Sequence, residues 1–315
     1  MDQLQLSKLP EVAMLLFCAL KHDLPNKLRD PTEVPDEKLE RVLLALESVG
    51  IFKQESSKWQ NTEFSEIFYC QEQKSRTMFH CSSVQFSLFA QIQNWLTCDE
   101  ATPQLAFGES FYEVLSDNPE DLKDFQETMK LFLSEALPGI KRNLQIEGIN
   151  SLLDVGGGHG FLIIDLAKEH STLKGAVYDL PEVCRLAQEN IETNHLSDRV
   201  RVITGDLTQS VPKGFEAIVM KSVLHNCQET TCIRILQNCR EALQPGSKLF
   251  VIEFLLKKEN SWQVRERTVN ILMMLYFNSK ERSVSEYQAL FEQASFKLHR
   301  AIPLESFNIL EAIAI

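Results

Sequence analysis

The sequence predicts an α/β protein: a mostly parallel sheet covered by helices, preceded by a mostly helical N-terminal region. Three observations predict this. From residue 149 onward, apolar runs of strand length alternate with stretches of helical periodicity. The first of these runs, LLDVGGGHGF (152–161), stops at an acid and then places four glycines in five positions. Upstream, KLERVLLALESVGIF (38–52) is a helical stretch closed by a glycine and followed by a hairpin-like segment, the outline of a winged helix.

The N-terminal elements come first. VAMLLFCAL (12–20) is too short to span a bilayer, follows the acids Asp2 and Glu11, and lacks a small-residue cleavage site, so it reads as a buried helix. NKLRDPTEVPDE (26–37), with two prolines, reads as a loop. Leu39, Val42, Leu43, Leu46 and Val49 then fall at helical spacing before Gly50. Ile51–Phe52, a polar turn and Lys58–Trp59 form the expected hairpin. Residues 81–145 read as helical, with Phe86, Phe89, Trp95, Phe111 and Phe125 on apolar faces. These shifts suggest a winged-helix-like dimerisation domain over 1–95, linker and substrate-pocket helices over 96–145, and a sheet domain over 146–315.

Seven strands are expected in that last domain. INSLLDV (149–155), LKGAVYD (173–179), RVRVITGD (199–206), FEAIVMKSVLH (215–225) and SKLFVIEF (247–254) alternate with the helices FLIIDLAKEH (161–170), PEVCRLAQENIETN (181–194) and ETTCIRILQNCREAL (229–243). Pro181 suits a first helical turn. FKLHRAIP (296–303) and SFNILEAIAI (306–315) follow one another with no helix between, which suggests an antiparallel hairpin at one sheet edge.

Composition excludes several function classes. A 44% apolar and 24% charged chain of 315 residues can bury an ordinary core and gives no sign of a membrane protein. Residues 1–95 carry 10 Lys/Arg against 13 Asp/Glu, and the whole chain has a net charge of −12, so the winged-helix outline has no excess cation to offer a nucleic acid. The eight cysteines form no CxxC pair and do not cluster with histidine as zinc ligands do, so no metal is expected. Reduced thiols fit a cytoplasmic protein.

The glycines identify the ligand class. Gly156, Gly157, Gly158 and Gly160 follow the first strand of the sheet and open its first helix, where parallel sheets bind ligands. A dinucleotide fingerprint would need glycine at 161, where Phe161 stands, and no P-loop GK[ST] is present. Asp154 precedes the turn, Asp179 ends the next strand, where it can accept ribose hydroxyls, and Asp206 ends the strand after, within reach of an adenine edge. A glycine turn with these acids describes an adenosine site without phosphate, for which S-adenosylmethionine is the common ligand.

At these residues the chain resembles the class I small-molecule O-methyltransferases of the caffeate and acetylserotonin type, including bacterial natural-product relatives. LLDVGGGHG matches their first motif, YDLPEV (178–183) their second, and GDL (205–207) their GDM. The stretch 220–253 matches the segment holding the catalytic histidine, KERS (280–283) matches KERT, and DFQETM (124–129) matches the FNxxM segment. The resemblance implies a Rossmann-like seven-stranded methyltransferase domain and a homodimer acting on a small, aromatic hydroxyl acceptor. It implies that Gly156, Gly157, Gly158, Asp179, Leu180, Asp206, Leu207 and Lys221, with Asp154, hold the cofactor. It implies that His225 is the general base flanked by Glu253 and Glu281, and that Phe125, Met129 and Met274 line the acceptor pocket.

The chemistry agrees. A phenol is mostly protonated at neutral pH, and an imidazole of pKa about 6.5 can take its proton as attack on an already activated methyl proceeds. One departure stands out: HNCQET (225–230) replaces the usual HDWSDE, with Asn226 for an acid and Cys227 for a tryptophan. Asn226 is expected to cap the next helix with Glu229 as its partner. The departure keeps open non-methylating chemistry on the same cofactor (decarboxylation, hydroxylation, pericyclic reaction), and the winged-helix outline keeps open a ligand-sensing regulator.

Overall fold

The computed structural model describes residues 8–256, 264–305 and 307–315. Asp2 of the acidic start and Ser306 of the last expected strand lie outside them. The described residues divide into two compact units: one holds the residues up to Thr97 with Thr102–Phe132, the other Cys98–Ala101 with Leu133–Ile315.

In the first unit, helix α1 (Leu9–Lys21) covers the 12–20 stretch, with Ala19 and Leu20 fully buried and Met14 exposed, so it is a one-sided helix rather than one buried all round. Helix α2 (Glu37–Glu47) starts where Asp36 accepts hydrogen bonds from the Lys38 and Leu39 amides. Leu43 and Leu46 point inward and are fully buried together with Phe52 and Trp59. Val49 falls outside this face, because α2 ends two residues earlier and Gly50 turns the chain at φ +81°. Strands β1 (Phe52–Glu55) and β2 (Lys58–Asn61) pair antiparallel around Ser56–Ser57, both at positive φ as a tight two-residue hairpin requires. The expected succession of helix, glycine and hairpin is therefore present. Helix α3 (Pro119–Asn143) contributes Leu133, Ala136 and Ile140 to the core of the second unit.

The second unit is built on β3 (Ser151–Val155), β4 (Lys174–Asp179), β5 (Val200–Thr204), β6 (Ala217–Lys221), β7 (Lys248–Glu253), β8 (Phe296–Pro303) and β9 (Asn308–Ala314), ordered β5-β4-β3-β6-β7-β9-β8. The first five are parallel, and β9 runs antiparallel to β7 and β8. Among the described residues, the helices α4 (Phe161–Glu169), α5 (Pro181–Thr193), α6 (Glu229–Ala242), α7 (Val264–Phe277) and α8 (Val284–Gln293) accompany the strands. Successive strand residues feed opposite faces. Leu153, Val155, Ile218 and Met220 join one core, whereas Leu152, Ala217 and Val219 join the other. The chain runs β3, β4, β5 to one side and restarts at β6 on the other. The carboxyl ends of β3 and β6 therefore flank the point where strand order reverses, the crevice in which such sheets take ligands.

Candidate active site

Two turns meet at that crevice. The first follows β3. A Cβ on Gly156 would stand 2.7 Å from Val223 Cγ2, one on Gly157 2.8 Å from the Asp154 carboxyl, and one on Gly160 2.9 Å from Val177 Cγ2. Those three glycines answer to the protein's own packing. Gly158 is different: its φ is +58° and nothing lies within 4 Å of a Cβ built on it. The bareness expected of the whole turn for a ligand's sake is thus concentrated at one residue.

Three acids surround this turn, in three environments. Asp179 ends β4, and its carboxylate accepts from the Gly158 amide at 2.8 Å and the Leu180 amide at 2.8 Å. A carboxylate has about four acceptor sites, so these bonds orient it without exhausting it. Asp206 is oriented in the same way by the Thr208 hydroxyl at 2.7 Å and amide at 2.8 Å, and the hydroxyl bond leads in holding its carboxyl below the usual range. Asp154 is 1% exposed and lies beneath the turn, so the structure makes it a support for the glycines where the sequence grouped it with ligand-facing residues. Burial, then the charge of Asp179, pushes its carboxyl up to about 7, against Lys221 and an amide bond from Ile163. Leu180 is exposed, Leu207 is half-buried against the core, and Lys221 places its ammonium 4.4 Å from the centre of the Phe307 ring.

The second turn follows β6. Ser222 sits at φ +56°, and His225 lies in the single turn Leu224–Asn226 with 6% exposure. Its Nδ1 is 2.7 Å from Glu281 Oε1 and 3.6 Å from Glu253 Oε2. Both glutamates lie beside the imidazole, with a division of labour. Glu281 Oε1 is hydrogen-bonded to Nδ1, while Glu253 Oε1 accepts from the amides of Val223 at 3.0 Å and Leu224 at 2.9 Å and so fixes the turn itself. Burial alone lowers the basicity of His225, but the charges of Glu253 and Glu281 outweigh it and raise the imidazole above its ordinary value. Glu253, fully buried, is itself held above the usual carboxylate range by burial, which His225 opposes and Glu281 reinforces.

The ligating atoms of this trio lie within 4.8 Å of one another, a spacing that raises the question of a metal. Two ligands of one tetrahedral ion at about 2.1 Å stand roughly 3.4 Å apart. The 2.7 Å between Nδ1 and Glu281 is a hydrogen-bond distance instead.

Sequence reasoning missed what holds the histidine turn from outside. Arg282, 3% exposed, donates to the carbonyls of Leu224 at 2.9 Å and Cys227 at 2.7 Å, and Ser279 Oγ donates to Cys227 O at 2.7 Å. The only available signal was the position of Arg282 inside KERS.

Comparison with known proteins now decides the family. A family model described as an O-methyltransferase domain matches residues 89–297. The chain is 35% identical over 232 residues to cephaeline 6′-O-methyltransferase of Carapichea ipecacuanha, covering 70% of this chain and 63% of that protein. This chain belongs to the O-methyltransferase family.

Other O-methyltransferases share the architecture. The structure of mitomycin 7-O-methyltransferase superposes with a TM-score of 0.92 at 22% identity over 99% of this chain and 96% of the other. An O-methyltransferase from neocarzinostatin biosynthesis, solved with S-adenosyl-L-homocysteine and 1,4-dihydroxy-2-naphthoic acid, superposes with a TM-score of 0.87 at 25% identity over 100% and 99%. The chain thus matches these structures end to end but spans less than two thirds of the curated plant relative. Among the described residues no helix is long and apolar enough to cross a membrane.

In this family member the remaining expectations fall out unevenly. Met274 on α7 lines a cavity of about 400 Å³ together with Asn270, Ser279 and Glu281. Phe125 and Met129 belong to the first unit, where Phe125 packs among Phe79, Phe111 and Tyr112, and Met129 is 36% exposed. Asn226 does not cap α6. Gln228 occupies that position without a side-chain bond, and Asn226 stays inside the histidine turn, donating to Ser222 O at 3.4 Å. The helix begins at Glu229, as the sequence suggested, and the residues before it close the turn carrying His225.

Proposed function

We propose that this chain transfers a methyl group from S-adenosylmethionine to the hydroxyl of a small aromatic acceptor, with His225 as general base. The observation that carries this reading is the geometry at His225: a buried imidazole with Nδ1 fixed on Glu281 directly after the strand that borders the glycine turn. Fixing a proton on Nδ1 assigns the lone pair of the neutral ring to Nε2, the nitrogen that would accept a phenol proton.

The residues of the first turn fit the cofactor. Open space over Gly158 admits a ligand close to the backbone, and the half-exposed, pre-oriented Asp179 suits a pair of ribose hydroxyls. Gly156, Gly157, Leu180, Asp206, Leu207 and Lys221 complete the proposed binding set, with Asp154 supporting the turn from below. When bound, S-adenosylmethionine supplies a methyl on a positively charged sulfur. The chain then has to align the acceptor oxygen and remove its proton. General-base help of this kind contributes about 10²–10⁴-fold. Glu253 and Glu281 stabilise the imidazolium that forms, and Met274 presents an adaptable apolar wall. Two relatives support the acceptor class: one is named for 6′-O-methylation of cephaeline, and another was solved with a dihydroxynaphthoic acid.

The test is calorimetry followed by turnover. S-adenosylhomocysteine should bind and ATP should not, and labelled methyl should pass to members of a phenol panel. Heat with ATP and none with the adenosyl compounds would overturn the reading.

A further inference from the structure

The histidine turn depends on one more group, from the middle of α7. Asn270 is the one amide in the run VNILMMLYF (269–277), whose other residues are aliphatic, sulfur-containing or aromatic. Leu272, Met273, Leu275 and Tyr276 are buried, and Val269 packs against the sheet core. Asparagine is a weak helix former, because its side chain competes for backbone hydrogen bonds, so a leucine at 270 would suit the helix better. The amide kept there has a specific partner: Asn270 Oδ1 accepts from the Glu281 backbone amide at 2.9 Å. A backbone N–H can only donate, so this bond also settles which end of the Asn270 amide faces Glu281.

The path of the chain shows what the bond does. Helix α7 ends at Phe277, and Asn278, at φ +48°, turns the chain back. The Asn278 and Ser279 amides stay on the helix, donating to Met274 O at 3.0 Å and Met273 O at 3.2 Å. Glu281 then returns alongside Asn270, about two helical turns before the helix end. Glu281 is fully buried, where an amide without a partner is strongly disfavoured, and its Oε1 meets His225 Nδ1 at 2.7 Å. The bonds from Ser279 and Arg282 tie this loop to the histidine turn itself, so they move with that turn. The Asn270 bond ties it to a helix instead. Resting on the general-base reading of His225, we propose that Asn270 is a positioning residue: its side-chain oxygen sets the backbone of Glu281, and so sets the carboxyl group that holds Nδ1 and leaves the imidazole lone pair on Nε2. Asn270 moves no proton. It also lines the cavity beside Met274, so the competing role is a direct contact with the acceptor.

Two variants of the intact chain test the proposal. Asn270→Leu removes the oxygen at similar size and favours the helix, whereas Asn270→Asp keeps an oxygen that can accept from the Glu281 amide. The first readout needs no methyl acceptor: nitrogen NMR of the neutral His225 ring, assigned with His225→Gln. The starting chain and Asn270→Asp should carry the ring proton on Nδ1, and Asn270→Leu should populate the form protonated on Nε2. The second readout is turnover. In Asn270→Leu kcat should fall about 10- to 100-fold, while KM for the acceptor changes by less than about threefold. Asn270→Asp should recover kcat to within about threefold of the starting chain. Affinity for S-adenosylhomocysteine should be unchanged in both. An unaltered ring tautomer in Asn270→Leu, a loss carried by KM, or no recovery in Asn270→Asp overturns the proposal. A starting chain with its ring proton on Nε2 overturns the general-base reading and this one together. Failure of the Asn270 assignment alone leaves the proton on Nδ1 in the starting chain and in Asn270→Leu alike, so the two failures are told apart.

Discussion

The turn after β3 and the turn after β6 sit on neighbouring strands, and they are built by opposite means. The glycine turn is local. Its shape follows from missing Cβ atoms and positive φ, and its braces come from Asp179 on the adjoining strand. The histidine turn is assembled from a distance. Three short residues, Leu224–Asn226, are held by Glu253 at the end of β7 and by Ser279, Glu281 and Arg282 from the far side of α7. A binding turn tolerates many acceptors of the same nucleoside if its backbone is fixed. A base needs its ring orientation and its proton affinity fixed as well, and those depend on charge that only tertiary structure can bring in.

Removing the imidazole should give the largest separation between the turns. His225→Ala should reduce kcat/KM for methyl transfer by about 10²–10⁴-fold. Calorimetry with S-adenosylhomocysteine should register an affinity within a few-fold of the starting protein, since the glycine turn is untouched. Undiminished turnover would break the division between a binding turn and a chemical turn.

Next in size is a contrast within the glycine turn. Gly156→Ala drives a methyl to 2.7 Å from Val223 Cγ2 at φ +68°, which combines strain and overpacking. Denaturant unfolding should show a loss of about 2–4 kcal/mol. Gly158→Ala meets no atom within 4 Å and should lose only about 1 kcal/mol for its φ, yet it should weaken cofactor binding more than its stability loss suggests. Equal stability losses at the two positions would mean that Gly158 is as tightly packed as its neighbours.

Glu281→Gln sharpens the other side of the comparison. The amide oxygen can still accept from Nδ1, so ring orientation survives while one of the two charges that raise the imidazole is lost. In the proposed reaction the base is neutral when it acts, so activity should rise with pH through the His225 pKa. That limb should move to lower pH by about one unit, with roughly a tenfold lower plateau. An unshifted limb would show that the carboxylate holds position only.

How much of this was legible beforehand follows the same division. The seven strands, the tail hairpin, Asp179 and the glycines were readable because each depends on local periodicity or on one residue's own conformational range. The position of His225, just after the fourth strand of the sheet, was readable too. Its environment was not. Arg282 clamps Leu224 from 58 positions away, and nothing in the spacing announces a guanidinium aimed at two carbonyls. Glu253 looked like a partner for the ring because it ends the adjacent strand, but its closest bonds go to backbone amides. Asn226 had the right residue type and spacing for a helix cap, and lost that role because closing the histidine turn takes precedence over starting α6. Asp154 reads as one more acid at the ligand edge, and only its 1% exposure shows it to be a support.

Asp154 supplies the smallest and most local prediction. Its carboxyl is raised to about 7 by burial and by Asp179, so the folded state holds a proton that the unfolded chain releases near pH 4. The folded state therefore binds more protons than the unfolded one between these values, and stability falls as pH rises through that window, levelling off above about 7. In Asp154→Asn this contribution is absent. The Tm of the variant relative to the starting protein should climb by roughly 2–6 °C between pH 4 and 7 and then stay constant. A difference that is flat across the window would mean that the carboxylate is ionised in place. The support beneath the glycines would then be a charge compensated by Lys221 and the Ile163 amide, and the two turns would be alike in relying on buried charge.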